Sequence, residues 1–245
     1  TAGNWQRSWQ ALTQPSNRPV SSHYLIPASN DPSYPAEQPF QVHQLVPEQQ
    51  RAWHAGHSQW GERTHLNDQS IGIELVNQSH CELRLDGTEN CYFEPFDPMQ
   101  LQLLADLLAD IRRRYPTITP DRILAHSDIS PLHKQDPGPH FPWRWLAEQD
   151  LAAWYDHDTF LVFWHHPRLD PAAIAQWQQA LRIYGYGITE TGIIDETTQA
   201  VLIAFQRRFV PDHIDGLPNR KTLAVLSALL IKYRPETRFT IEHLN

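Results

Sequence analysis

The residues best equipped for chemistry lie on one short stretch. Ala125-His126-Ser127-Asp128-Ile129-Ser130-Pro131 runs into Lys134-Gln135-Asp136-Pro137-Gly138-Pro139, which puts an imidazole, an ammonium and carboxylates on one irregular segment. Its prolines restrict the backbone, so side chains there are held without help from a helix. His126 and Asp136 are both good zinc ligands, and an open zinc site takes three protein ligands plus water. The same residues also suit a polar loop with a capping Asp and a solvated Lys134, and residue types alone leave both readings open.

A second carboxylate has an unusual setting. Gln69 to Val76 (QSIGIELV) reads as a strand with Ile71, Ile73 and Leu75 on one face and Gly72, Glu74 and Val76 on the other. Glutamate is a poor strand former, and a buried carboxylate needs a partner, a metal or a proton. If the Gly72/Val76 face opens toward the His126/Asp136 loop, Glu74 can act as a general base. If the strand is an edge, Glu74 sits in solvent.

Other elements must position these groups. Val42 to Val46 and Ile123 to Ala125 are short strand candidates, the latter leading into His126. Asp97-Pro98 opens a helix, with Asp as cap and Pro at its first position. Leu104, Leu107, Leu108 and Ile111 form its apolar stripe, and Tyr115-Pro116 ends it. Strands alternating with helices predict an α/β fold, a sheet covered by helices. Residues 156–167 read as a linker, although Phe160 to Trp164 is apolar. Beyond it the spacing predicts three helices: one opened by Asp170-Pro171 with Ile174, Trp177, Leu181 and Tyr184, one with Val201, Leu202, Phe205 and Phe209, and one with Leu223, Leu226 and Leu230. The loops between them, Gly192 to Thr198 and Ile214 to Thr222, are alike, a pseudo-repeat within a small three-helix bundle. Residues 168–235, with apolar stripes of their own, are expected to fold alone.

Bulk properties narrow the function. The net charge is −8, with 11 Lys+Arg against 20 Asp+Glu over residues 1–160 and 9 against 8 over 161–245. An acidic body with a near-neutral tail argues against nucleic-acid binding, which needs a basic surface. No apolar run is long enough to span a bilayer. The first residues are polar, so no signal peptide is visible, and the chain does not begin with Met. Cys81 and Cys91, the only cysteines, are either two free thiols or one disulfide closing a short loop in an oxidising compartment.

Several segments resemble the type-2 N-acetylmuramoyl-L-alanine amidase family, and its envelope lipoprotein members most. They are Val20 to Ile26 (VSSHYLI), Ala52 to Gly56 (AWHAG), Leu66-Asn67-Asp68 running into Ser70 to Leu75, Ala125 to Ile129, and Lys134 through Trp143. Together they span residues 1–145 in family order. The resemblance implies an α/β fold with a mixed central sheet flanked by helices, and a zinc amidase over residues 1–155 that cuts the bond between N-acetylmuramic acid and L-alanine in peptidoglycan or muropeptides. Under it, His126 and Asp136 match two zinc ligands, Lys134 the residue that stabilises the oxyanion, and Glu74 the catalytic glutamate. Thr1-Ala2 matches the tail of a His-Tyr-Thr-Ala motif, so the first zinc His is expected two residues before Thr1. His23 and His54 are then expected to shape the groove rather than bind metal. The envelope likeness implies a periplasmic or outer-membrane location, attachment through a lipidated N-terminus, and a monomer.

The C-terminal segment resembles the peptidoglycan-binding domain 1 family. Leu181, Gly185-Tyr186, Gly192, Asp195, Thr198, Ala200-Val201, Phe205-Gln206, Asp215-Gly216 and Thr222 carry the likeness. It implies a helical wall-binding domain over 168–245, after a linker at 156–167. Two other functions remain: a peptidoglycan receptor without catalysis, and a zinc peptidase cutting stem peptides. The joint presence of Glu74, His126, Lys134 and Asp136 speaks against the first, and the motif strings against the second.

Overall fold

The computed structural model describes residues 3–17, 19–83, 89–167 and 169–237, with the backbone alone for residues 80, 81, 83 and 89–91. Its regular elements, in chain order, are α1 (Trp5–Thr13), β1 (Tyr24–Ile26), β2 (His43–Gln44), β3 (Gln59–Trp60), β4 (Arg63–Thr64), β5 (Ile73–Leu75), β6 (Ser79–Leu83), β7 (Glu89–Phe93), α2 (Pro98–Arg114), α3 (His126–Ile129), α4 (Trp143–Ala147), α5 (His157–Trp164), α6 (Ile174–Tyr184), α7 (Glu196–Phe209) and α8 (Arg220–Tyr233). They fall into two compact units. One holds residues up to Gly56 and His65–Ile118; the other holds His57–Thr64 and the chain from Thr119 onward. No helix among the described residues is long and apolar enough to cross a membrane.

In the first unit β1 is wholly buried and lies between β2, antiparallel, and β5, parallel, which makes the sheet mixed as expected. The β5 ladder is shorter than the Gln69–Val76 pattern predicts. At Gly72 the amide donates to His23 Nδ1 (2.9 Å) instead of continuing the ladder, and the Gly72 carbonyl accepts from the amides of both His23 and Tyr24. The sheet is closed on α2 by two polar side chains. Gln100 is fully buried, and its amide group donates to the carbonyls of Ile26 (3.1 Å) and Val76 (2.9 Å), the ends of the two parallel strands. Glu48 accepts from Tyr24 (2.7 Å) at one side and from Arg114 and Tyr115 at the C-terminus of α2. Asp97 caps α2 as its Asp-Pro start predicts, and Leu104, Leu108 and Ile111 are buried. The β6–β7 register sets Cys81 opposite Cys91, but their side chains, and so the disulfide question, lie outside the described residues.

The second unit is built on α6, α7 and α8. Trp177, Leu181, Phe205, Phe209, Leu223 and Leu226 meet in one core, which also takes in Ala153, Phe163 and Leu169. Within residues 156–167, expected as a linker, His157–Trp164 form α5, whose Phe163 is buried in that core. The three C-terminal helices therefore do not close their core alone, because part of it comes from residues before 168. Ile123 to Ala125 is extended but pairs with no strand. The Ile123 carbonyl accepts from the Arg208 guanidinium (2.9 Å), so its backbone need is met by a side chain. The helix expected at Asp170-Pro171 begins at Ile174, since Asp170 Oδ1 accepts from the Ala172 amide (2.9 Å) in a local turn and its carbonyl accepts from Trp177 Nε1.

The loop pseudo-repeat has a cause that the loops do not contain. Buried Gln178 of α6 donates to Thr198 Oγ1 and the Ile193 carbonyl and accepts from the Gly192 amide. Buried Gln206 of α7 repeats this with Thr222 Oγ1, the Leu217 carbonyl and the Gly216 amide. Each loop then caps the next helix, through Asp195 and Asn219.

Arg114, together with the Tyr24 and Tyr115 hydroxyls, holds the Glu48 carboxyl down at about 2 against the opposing effect of burial. A carboxylate with a lowered folded-state pKa adds stability above its unfolded pKa and loses it as pH falls through the folded value. At about 1.4 kcal/mol per pKa unit the contribution is on the order of 3 kcal/mol. Glu48→Gln is expected to lower stability at pH 7 by about that amount and to flatten the loss of stability between about pH 4.5 and pH 2. Urea unfolding across that range, followed by the fluorescence of Trp5 in the same unit, checks both effects.

Candidate active site

The loop that begins at Ala125 is folded back on itself. Helix α3 is only four residues long, and a helix that short does not persist on its own. It is held by Asp128, whose Oδ2 accepts from the Ala125 amide (2.9 Å). The Ser127 amide donates to the Asp136 carbonyl (3.0 Å), and the Lys134 amide to the Ser130 carbonyl (3.0 Å). These bonds bring the two ends of the loop together. His126 Nδ1 consequently lies 3.3 Å from Asp136 Oδ2, with the two side chains 20% and 32% exposed.

Burial works to raise the Asp136 pKa, but the hydrogen bond and charge of His126 outweigh it and hold the carboxyl below its usual range. His126 Nε2 is buried and has no hydrogen-bond partner among the described residues. Two atoms bound about 2.0–2.1 Å from a tetrahedral zinc are about 3.3 Å apart, so this nitrogen and this oxygen match one edge of such a site. Among the described residues no group of three His, Cys, Asp or Glu converges on a metal position. The pair thus has the spacing of two corners of such a site. Lys134 is exposed on the same loop, two residues before Asp136.

Glu74 belongs to the other compact unit. It is half-buried in β5, opposite Leu25 of β1, in a strand at the edge of its three-stranded sheet. The face it shares with Gly72 carries the His54 ring, since a Cβ at Gly72 would come within 2.3 Å of His54 Cγ. His54 is fixed in turn: its amide and that of Ala55 both donate to Asn67 Oδ1, and its ring meets that of His23 edge to face at 5.5 Å. His23 is 1% exposed and uses both ring nitrogens, Nδ1 as acceptor from Gly72 and Nε2 on the Gln50 carbonyl (3.0 Å). It therefore has no nitrogen left for a metal.

Sequence reasoning passed over three residues around the loop. Arg208 Nη1 contacts Asp128 Oδ2 at 2.6 Å, with the two side chains 2% and 0% exposed, and the Tyr186 hydroxyl donates to Asp128 Oδ1 (2.7 Å). Arg207, next to Arg208 on α7, donates to Gln135 Oε1 (2.9 Å) beside Asp136. A basic pair between the apolar positions Phe205 and Phe209 was the available signal. Burial and the neighbouring Asp128 push the Tyr186 hydroxyl far up, so it stays protonated as a donor.

Gly72→Ala is expected to cost about 1–3 kcal/mol, since the added methyl overlaps the base of the His54 ring and forces the ring or the strand to shift. Chemical denaturation would measure it, and nuclear magnetic resonance of the His54 ring would show the displacement.

Comparisons with known proteins identify the family. Residues 1–139 match the profile of the N-acetylmuramoyl-L-alanine amidase family and residues 170–226 that of a peptidoglycan binding domain. The chain is 41% identical over 235 residues to the N-acetylmuramoyl-L-alanine amidase AmiD of Escherichia coli K12, covering 95% of this chain and 80% of that protein. The structure of AmpDh3 from Pseudomonas aeruginosa in complex with anhydromuramic pentapeptide superposes with a TM-score of 0.85 at 39% identity, covering 95% of this chain and 89% of that one. The E. coli AmiD complex with anhydro-N-acetylmuramic acid-L-Ala-D-gamma-Glu-L-Lys gives 0.81 at 39% identity, covering 95% and 86%. With the family profile over more than half of its length and a relative matched almost end to end, this chain belongs to the N-acetylmuramoyl-L-alanine amidase family and carries a C-terminal peptidoglycan-binding domain.

Proposed function

We propose that this amidase is zinc-dependent, with His126 and Asp136 as two of its metal ligands, Glu74 as general base and Lys134 as the cation that offsets charge on the substrate oxygen. The observation that carries the proposal is the 3.3 Å approach of His126 Nδ1 to Asp136 Oδ2, an edge of the size a tetrahedral zinc requires. The reaction is hydrolysis of the amide between N-acetylmuramic acid and L-alanine in peptidoglycan and anhydromuropeptides.

When bound, zinc supplies Lewis acidity toward the amide carbonyl and lowers the pKa of water. Glu74 takes the proton of the attacking water and returns it to the alanine nitrogen as the C–N bond breaks, so the amine leaves neutral. Lys134 acts as a mobile positive point charge near the oxygen on which negative charge develops. The half-buried setting of Glu74 on an apolar strand supports its role, because a carboxylate kept partly from solvent is costly to place there without a use. His23, both of whose nitrogens are occupied, and His54, packed on Gly72, serve as framework.

By family module, the division is a catalytic domain over 1–155, a connecting segment at 156–167 and a wall-binding domain over 168–245. An envelope location, attachment through a lipidated N-terminus and a monomeric state complete the proposal, and they rest on the family resemblance of the sequence motifs.

Glu74→Gln is expected to cut turnover by at least about 100-fold while zinc stays bound. His126→Ala and Asp136→Ala should each lose the metal. Mass spectrometry of digested muropeptides reads activity as free stem peptides, and atomic absorption reads zinc in the full-length natural protein. Near-normal turnover of Glu74→Gln would remove the general base. Retention of zinc by both ligand variants would remove the ligand assignment.

A further inference from the structure

Arg208 is an arginine whose described polar contacts all fall on one short backbone segment. Its Nη1 meets Asp128, its Nη2 donates to the Ile123 carbonyl, and its guanidinium lies 4.0 Å over the ring of Trp143 at the start of α4. The other oxygen of Asp128 is taken by Tyr186, in the turn that follows α6. Arg207 reaches the far end of the same loop at Gln135. Three side chains of the peptidoglycan-binding segment therefore grip the loop on either side of His126 and Asp136.

We infer that Arg208 and Tyr186 are positioning residues for the His126–Asp136 loop, so that the C-terminal helical segment forms part of the amidase site as well as binding wall. Helix α3 is too short to orient His126 unaided, and its one side-chain tether is Asp128, two residues on. Asp128 is oriented in turn by two donors from outside the loop, a planar guanidinium and a phenol, both of which fix direction as well as distance. A role in stability alone would not call for such a pair. Apolar residues of similar volume usually replace a buried ion pair at no loss of stability. The inference rests on the reading of His126 and Asp136 as metal ligands.

The test compares Tyr186→Phe, Arg208→Met and Arg208→Lys with the parent full-length protein. The first readout is amide hydrogen exchange in metal-free protein over residues 123–137, set against α8. The second is affinity for cobalt(II) by visible absorption. The third is kcat and KM on a soluble anhydromuramyl peptide. Tyr186→Phe is expected to speed exchange in the loop by about three- to tenfold, as loss of one hydrogen bond implies. It should weaken cobalt binding by a similar factor and lower kcat with little change in KM. Arg208→Met should do the same by about tenfold or more, and Arg208→Lys should recover part of the loss, since an ammonium keeps the charge but not the fork. Protection in α8 should fall by a clearly smaller factor than in the loop.

Exchange and cobalt affinity within twofold of the parent in Tyr186→Phe and Arg208→Met would overturn the inference. So would a loss of protection spread equally over loop and α8. Should Arg208→Met fail to fold, Tyr186→Phe decides alone. Should the parent bind no cobalt, the zinc reading fails, while the exchange comparison still decides whether these residues position the loop.

Discussion

A guanidinium and a carboxylate meet out of water in the second unit, and much of the molecule is arranged around that contact. Arg208 and Asp128 are both fully buried, where an unpaired charge is not tolerated. Removing one partner of such a pair costs about 3–5 kcal/mol, because the other is left uncompensated. Asp128 is satisfied by three donors: the Ala125 amide, the Tyr186 hydroxyl and Arg208. Those donors come from the loop, from the turn after α6 and from α7. Their agreement at one carboxylate ties the loop to the helical core, and the His126–Asp136 approach follows from it.

Polar side chains play the same part elsewhere. In the first unit Gln100 takes the carbonyls at the ends of β1 and β5, and Glu48 joins β1 to the end of α2. In the second, Gln178 and Gln206 each gather a loop by donating and accepting at once. A primary amide suits this work because it offers donors and acceptors without the solvation cost of a charge. Apolar packing gives each unit its core, while these groups decide how loops sit on it.

Glu74 and Gly72 illustrate how one strand can hold both a framework and the proposed general base. Gly72 lacks a Cβ, so the His54 ring can lie against the backbone, and its amide is available to His23. The resulting stack of His23, His54 and Gly72 stiffens the strand two residues from Glu74. A general base has to be held near its proton, and under the role proposed for Glu74 a strand braced in this way helps to hold it.

Much was legible in the residues because it depends on near neighbours. The Asp97-Pro98 helix start, the apolar stripes of α2, α7 and α8, and the His126 to Pro139 loop all rest on spacing within a few residues. The mixed sheet and the likeness to wall amidases also follow from strings read along the chain. Other features were decided by tertiary structure. Most of residues 156–167 became a helix, with Phe163 entering the core. Ile123 to Ala125 stayed unpaired because an arginine 85 positions away took its carbonyl. The approach of His126 to Asp136 needed a loop closed by hydrogen bonds and a carboxylate anchored 80 positions away. Periodicity and motif order carry no information about such distant partners, since a hydrogen bond or ion pair across the fold depends on where the chain returns.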